Sequence, residues 1–141
     1  MITIRSIDHV VLRVVDLDPM ARFYEDVLGA RLEKHQQELG LYQMRIGDAL
    51  IDLIPVSGVL GKVGGAAPGK EGRNVDHVCF RVLPWDGDAI VMELQRRGIK
   101  AQVVSRYGAD GEGPSIYVDD PEGNTIELKG PPWAPAPGRK R

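Results

Sequence analysis

The stretch IDHVVLRV at residues 7–14 returns, little changed, as VDHVCFRV at residues 75–82. Five of the eight positions are identical, and two of the chain's three histidines, His9 and His77, occupy the same place in the two copies. Self-similarity of this kind marks a duplicated supersecondary unit. Each copy opens with a strand of alternating apolar and polar side chains, at about 6–14 and 75–82. In the first copy DLDPMARFYEDVLG then predicts a helix. Asp18 is placed to cap it, Pro19 suits its first position, Met20, Phe23, Val27 and Leu28 share a face, and Gly29 ends it. Strands are expected next at ARLEKH (30–35), LYQMRI (41–46) and ALIDLIP (49–55). The second copy repeats the order, with a helix around 87–97 stopped by Gly98. Its strands are KAQVVS (100–105), SIYVD (115–119) and NTIELKG (124–130), with DPEG as a tight turn. Strand, helix, strand, strand, strand, twice over, predicts an α+β fold of two βαβββ modules, 5–55 and 75–130, in one domain spanning 1–130. A Gly-rich loop, 56–74, joins them, and the Pro-rich segment 131–141 reads as a flexible tail. Tyr42 and Tyr117 also correspond, each ten residues before an acid, Asp52 and Glu127.

The bulk composition narrows the function classes. Of 141 residues, 43% are hydrophobic and 27% charged, as in ordinary globular domains. Eighteen Lys and Arg against 20 Asp and Glu leave a net charge of −2, with no basic footprint for nucleic acid and no polybasic membrane anchor. No apolar run reaches the roughly 20 residues of a membrane span, and MITIRSIDHV is not a signal peptide. Cys79, the only cysteine, excludes an internal disulfide and suits a reducing cytoplasm. The expectation is a cytosolic domain whose partner is a small molecule.

Strand parity places the chemistry. Alternate side chains share a face, so Asp8, Val10, Leu12 and Val14 are expected on one side of the first strand, and Ile7, His9, Val11 and Arg13 on the other. In the second copy Val78, Phe80 and Val82 oppose His77, Cys79 and Arg81. The apolar sets should pack on the helices. Asp52 faces away from Ile51 and Leu53, and Glu127 away from Ile126 and Leu128, so each copy ends with a carboxylate on the face opposite two buried aliphatics. If the copies pair about a pseudo-twofold, His9, His77, Asp52 and Glu127 converge on one concave site. Two imidazoles and a carboxylate suffice to hold a divalent transition metal with positions open for substrate. Asp52 reaches about one bond less far than a glutamate, which leaves its place as a fourth ligand open. His35 has no counterpart in the second copy and reads as solvated.

Other features take lesser parts. Arg13 and Arg81 share the ligand face and are candidates to hold an anionic substrate group, and Tyr117 to donate to a substrate oxygen. Glu127 and Asp52 are the candidate bases. Cys79, two residues from His77, reads as a soft metal neighbour or a small apolar filler. GGAAPGKE (64–71) mimics a phosphate loop but offers Glu71 where a hydroxyl is required, so it reads as linker or lid. GADGEG (108–113) is acidic and reads as a loop at the site's mouth.

With these residues assembled, the chain resembles the vicinal oxygen chelate superfamily, which includes glyoxalase I, fosfomycin-resistance proteins, extradiol dioxygenases, methylmalonyl-CoA epimerase and bleomycin-binding proteins. DHVVLRVVDLDPMARFYEDVLGARLE and SIYVDDPEGNTIELKG carry the likeness, which covers residues 5–130. The resemblance implies paired βαβββ modules forming an open, cup-shaped sheet around a divalent metal (zinc, nickel, manganese or iron), commonly in a homodimer. It implies a glyoxalase I-like lyase or isomerase using metal-stabilised enolate chemistry, with glutathione as a possible co-substrate bound through Arg13. The family's ligand set maps onto His9, Asp52, His77 and Glu127, with Asp52 departing from the glutamate pattern. Fosfomycin-type epoxide opening, a bleomycin-type sequestering protein and an Fe(II) dioxygenase are the alternatives it leaves open.

Overall fold

The computed structural model describes residues 1–135 and 137–138. The chain forms two compact units, the first made of residues 1–74 with 120–123 and the second of residues 75–119 with the described residues from 124 onward.

In the first unit β1 (His9–Val14) leads into α1 (Leu17–Asp26), followed by β2 (Arg31–Gln36), β3 (Leu41–Ile46) and β4 (Ala49–Pro55). They build a four-stranded sheet in the order β1-β4-β3-β2. β1 runs parallel to β4, and the other pairs are antiparallel. The alternation read from the sequence holds: Leu12, Val14, Met44, Ile51 and Leu53 are fully buried, while His9 and Val11 are exposed. Helix α1 covers the apolar side with Met20, Ala21, Phe23 and Tyr24.

Two local expectations are corrected. The helix begins at Leu17 with Asp16 as its N-cap, so Asp18 lies in the first turn rather than at the cap. The carboxylate of Glu122 takes over the entry, accepting from the Val15 and Asp16 backbone N–H groups at 2.6 and 2.9 Å. The first strand begins at His9 rather than near residue 6, although the Asp8 carbonyl still accepts from the Leu50 N–H at 3.2 Å. The buried Tyr24 hydroxyl is held by Asp120 at 2.8 Å.

The second unit repeats the plan with β5 (His77–Arg81), α2 (Gly87–Arg96), β6 (Val104–Gly108), β7 (Gly111–Asp119) and β8 (Thr125–Lys129), in sheet order β5-β8-β7-β6. Ile116, Val118, Ile126 and Leu128 are buried, with Leu94 of α2. Asp86 caps α2 through the Ala89 N–H at 3.0 Å. Gly98, at φ 77°, supplies the left-handed residue of its C-terminal stop, where the Ile99 N–H reaches back to the Leu94 carbonyl at 2.9 Å.

The predicted strand at 100–105 is displaced, since β6 runs from Val104 to Gly108 and pairs antiparallel with Gly111–Ser115. GADGEG is therefore a hairpin turn plus the start of β7, not a loop. Long β7 tolerates glycine there because the backbone of Pro131 and Pro132 lies against Gly113, within 3 Å of where a Cβ would stand. Of the Pro-rich segment 131–141, Trp133 donates its backbone N–H to the Glu112 carbonyl at 2.8 Å. The part of that expected tail at 136 and 139–141 lies outside the described residues. The connecting stretch 56–74 carries a 3-10 turn, Gly61–Gly64. Among the described residues no helix is long and apolar enough to cross a membrane.

Candidate functional site

Each sheet presents its histidine at the first position of an edge strand and its carboxylate in the middle of the neighbouring strand. In the first unit Asp52 stands between Val11 of β1 and Gln43 of β3. In the second, Glu127 stands between Cys79 of β5 and Tyr117 of β7. The two carboxylates thus occupy equivalent places in equivalent sheets, yet their surroundings differ.

Asp52 is 2% exposed. Its Oδ2 accepts from the Gln43 amide at 3.3 Å, and its Oδ1 is buried with no hydrogen-bond partner. Burial pushes the carboxyl above the usual aspartate range, the Gln43 bond and His9 opposing and Asp8 adding to the rise. Glu127 is also buried but well supplied. Burial alone would raise its carboxyl, yet hydrogen bonds from Cys79, Ser115 and Tyr117, with the charge of His77, hold it below the usual glutamate range. The Tyr117 hydroxyl donates to Oε1 at 3.0 Å. Tyr117 in turn packs edge-on against His77, with ring centroids 5.8 Å apart, and carries the Arg106 guanidinium 5.7 Å from its ring centre.

His9 and His77 share a feature that strand parity does not foresee. The Nδ1 of His9 lies 2.6 Å from Asp8 Oδ1, and the Nδ1 of His77 lies 2.6 Å from Asp76 Oδ1. The Asp8 bond is the main cause raising the His9 pKa above its ordinary value, opposed by burial and helped by Asp52. The signal for it is the repeated Asp-His dipeptide. Gln43 and Ser115 are two further site residues that the sequence reading misses.

The remaining expected site residues are placed differently. Arg13 donates from Nε, Nη1 and Nη2 to the carbonyls of Gly61, Ala66 and Gly65 at 3.0, 3.0 and 2.7 Å, so its guanidinium clips the connecting loop. Arg81, largely exposed, pairs with Asp110 at 2.6 Å. The thiol of Cys79 is pushed up to about 12, first by burial and then by the Glu127 carboxylate to which it donates. Tyr42 does not match Tyr117, because it pairs with Leu53 on the helix side and its hydroxyl meets Glu25 at 3.4 Å.

The donor chemistry suits a divalent ion. His77 Nε2 faces Glu127 Oε2 at 3.6 Å. With Nδ1 donating to Asp76, the neutral ring turns an Nε2 lone pair toward the carboxylate, and two such facing acceptors are relieved by a cation between them. Two donors each about 2.1 Å from one zinc ion at a tetrahedral angle stand roughly 3.4 Å apart. In the first unit the orphaned Oδ1 of Asp52 is a buried acceptor of the same kind. Among the described residues no three His, Cys, Asp or Glu side chains are grouped as a ready-made metal cage. What each unit carries is a histidine and a carboxylate on one face.

Comparison with known proteins gives the lineage. Virulence protein STM3117 of Salmonella typhimurium is 33% identical over 132 residues, covering 89% of this chain and 83% of that protein. Its crystal structure superposes with a TM-score of 0.76 at 31% identity, over 92% of this chain and 99% of that one. Mitochondrial methylmalonyl-CoA epimerase of Mus musculus is 27% identical over 130 residues, 87% of this chain and 71% of the enzyme. The crystal structure of lactoylglutathione lyase from Agrobacterium tumefaciens shares the fold, with a TM-score of 0.64 at 20% identity over 89% of this chain and 92% of that one. Residues 6–128 match the family described as Glyoxalase/Bleomycin resistance protein/Dioxygenase superfamily, and the chain belongs to it.

Proposed function

We propose that this protein is a metal-dependent enzyme of the glyoxalase type, a lyase or isomerase that moves a proton on a small oxygenated substrate. The reading rests on one observation above the others: a buried carboxylate oxygen, Asp52 Oδ1, left without a partner on the sheet face that carries His9. A buried polar atom left unpaired costs about 1–3 kcal/mol. Such a cost is characteristic of a site whose partner is a ligand.

His9, His77, Glu127 and Asp52 are the residues that would hold a divalent ion such as zinc, nickel, manganese or iron. Each unit supplies two donors, fewer than the three or four a catalytic ion takes from protein. When bound, the ion would supply Lewis-acid polarisation of a substrate oxygen.

The chain's own groups divide the remaining work. Glu127, with three protein donors on its carboxylate, stays ionised and in place. Asp52, accepting a single bond from Gln43, is the less firmly held of the two carboxylates, so it is the better candidate for the base, provided its carboxylate is free of the ion. The names of two relatives, an epimerase and a lactoylglutathione lyase, fit that proton chemistry.

The test is metal analysis followed by turnover. Purified protein should take up about one equivalent of zinc, nickel or manganese per chain. It should then turn over the methylglyoxal–glutathione hemithioacetal or an epimerisable acyl-CoA, and His77→Ala should lose both properties. Metal content below about a tenth of an equivalent, with no uptake on reconstitution, would leave a sequestering protein as the better reading.

A further inference from the structure

Both repeated histidines are preceded by aspartate, and in both copies that carboxylate sits 2.6 Å from the ring's Nδ1. The geometry is available because each aspartate directly precedes the first residue of its strand, where its exposed side chain can turn back onto the ring. A carboxylate has only acceptor lone pairs, so Nδ1 must carry the hydrogen. In the neutral ring that leaves Nε2 as a bare lone pair. A histidine side chain free in water favours the opposite tautomer, with hydrogen on Nε2.

We infer that Asp8 and Asp76 are positioning residues that select the Nδ1–H tautomer of His9 and His77 and thereby open Nε2 as a donor atom.

Stability does not account for these contacts. The side chains of Asp8 and Asp76 are 89% and 97% exposed. Exposed pairs of this kind contribute about 0–1 kcal/mol. The third histidine is an internal control: His35 follows Lys34, and its ring packs edge-on against Tyr42 at 5.2 Å. The device belongs to the two histidines that occupy equivalent places in the repeat. In the second unit Nε2 points to Glu127 Oε2 at 3.6 Å, the direction in which an open lone pair has a use. Carboxylate partners of this sort orient ligating imidazoles, and their loss commonly weakens metal affinity roughly 10- to 100-fold.

That use rests on the metal-dependent reading above, whereas the tautomer itself does not. The experiment is therefore begun on metal-free, full-length protein labelled with nitrogen-15 at histidine, at a pH where the rings are neutral. Long-range proton–nitrogen spectra should give Nδ1–H for His9 and His77 and predominantly Nε2–H for His35. Asp76→Ala should return His77 alone to the Nε2–H form, and Asp8→Ala should do the same for His9. Asp76→Asn, whose amide oxygen still accepts, should keep the tautomer, a rescue that a general packing role would not produce. In cobalt titrations of the same samples, each alanine variant should bind roughly 10- to 100-fold more weakly than the parent. Nε2–H rings at positions 9 and 77 in the parent protein would overturn the inference whether or not the protein takes up metal. Nδ1–H rings in a protein that binds no cobalt would uphold it while removing the metal reading.

Discussion

Replacing Asp52 with asparagine should make the protein more stable at neutral pH while disabling it. The folded chain holds this carboxylate buried, with one bond of 3.3 Å to Gln43 and Oδ1 unpartnered. An orphaned buried acceptor costs about 1–3 kcal/mol, more when charged. The Asp52→Asn side chain keeps an oxygen for Gln43 and exchanges the orphaned charged atom for a neutral amide, which itself lacks a partner. The net gain should therefore fall near the lower end, about 1 kcal/mol, or roughly 3–4 °C in Tm for a chain of this length. The pH dependence carries the diagnosis. Asp52 is raised in the folded state, so its ionised form opposes folding above the raised value, and the opposition vanishes below the ordinary 3.8. Urea denaturation of both proteins in a chelating buffer should show the gain at about pH 7.5 and little of it near pH 3.5. Turnover, once a substrate is in hand, should drop about 10²- to 10⁴-fold for loss of a general base. A variant less stable than the parent at neutral pH, or one with the same gain at both pH values, would mean that Oδ1 is satisfied in solution and would remove the main support for a base at this position.

The second carboxylate should respond in the opposite sense. Tyr117→Phe deletes the 3.0 Å donor to Glu127 and should raise its carboxyl toward the usual range, as read by carbon-13 titration. Because Glu127 is depressed in the folded state, the associated loss of about 1–2 kcal/mol should be full at neutral pH and fade as pH falls through the folded value. The Cys79 thiol, pushed up to about 12, should be alkylated near neutral pH roughly 100-fold more slowly than a free thiol, its scarcer thiolate being partly offset by higher nucleophilicity, and Glu127→Gln should speed it up. Gly64→Ala places a Cβ about 2.6 Å from the Arg13 guanidinium and should break the Arg13 clip, seen as faster proteolytic nicking at 61–66.

The pattern of what can be read from the sequence follows from the range of each signal. Strand alternation is local, so the faces that carry the histidines and carboxylates, the buried aliphatics and strands β3 and β4 are legible in the sequence. Turn length is equally local, but its consequence is not. The ten-residue spacing of Tyr42 to Asp52 equals that of Tyr117 to Glu127, which suggests equivalent pairs. Yet the first hairpin closes through two residues, Gly47 and Asp48, and the second through five, 120–124. An even-length turn pairs residues separated by odd numbers, and an odd-length turn pairs residues separated by even numbers. Tyr117 therefore meets Glu127 directly, whereas Tyr42 slips to Leu53 and Gln43 takes the place opposite Asp52. The partners of Arg13 lie 48 to 53 residues away, in a loop with no periodicity to read.

That one-residue slip has a chemical consequence. Where the second sheet sets a phenol beside its acid, joined by a serine hydroxyl and a thiol, the first sets a carboxamide alone. Hydrogen bonding outweighs burial at Glu127, and burial outweighs hydrogen bonding at Asp52, so the two carboxyls move in opposite directions from their ordinary values. Turn length selects Tyr117 or Gln43 as the cross-strand neighbour, and the parallel strand adds Cys79 beside Glu127 where Val11 stands beside Asp52, so one carboxyl is held below its ordinary range and the other above it.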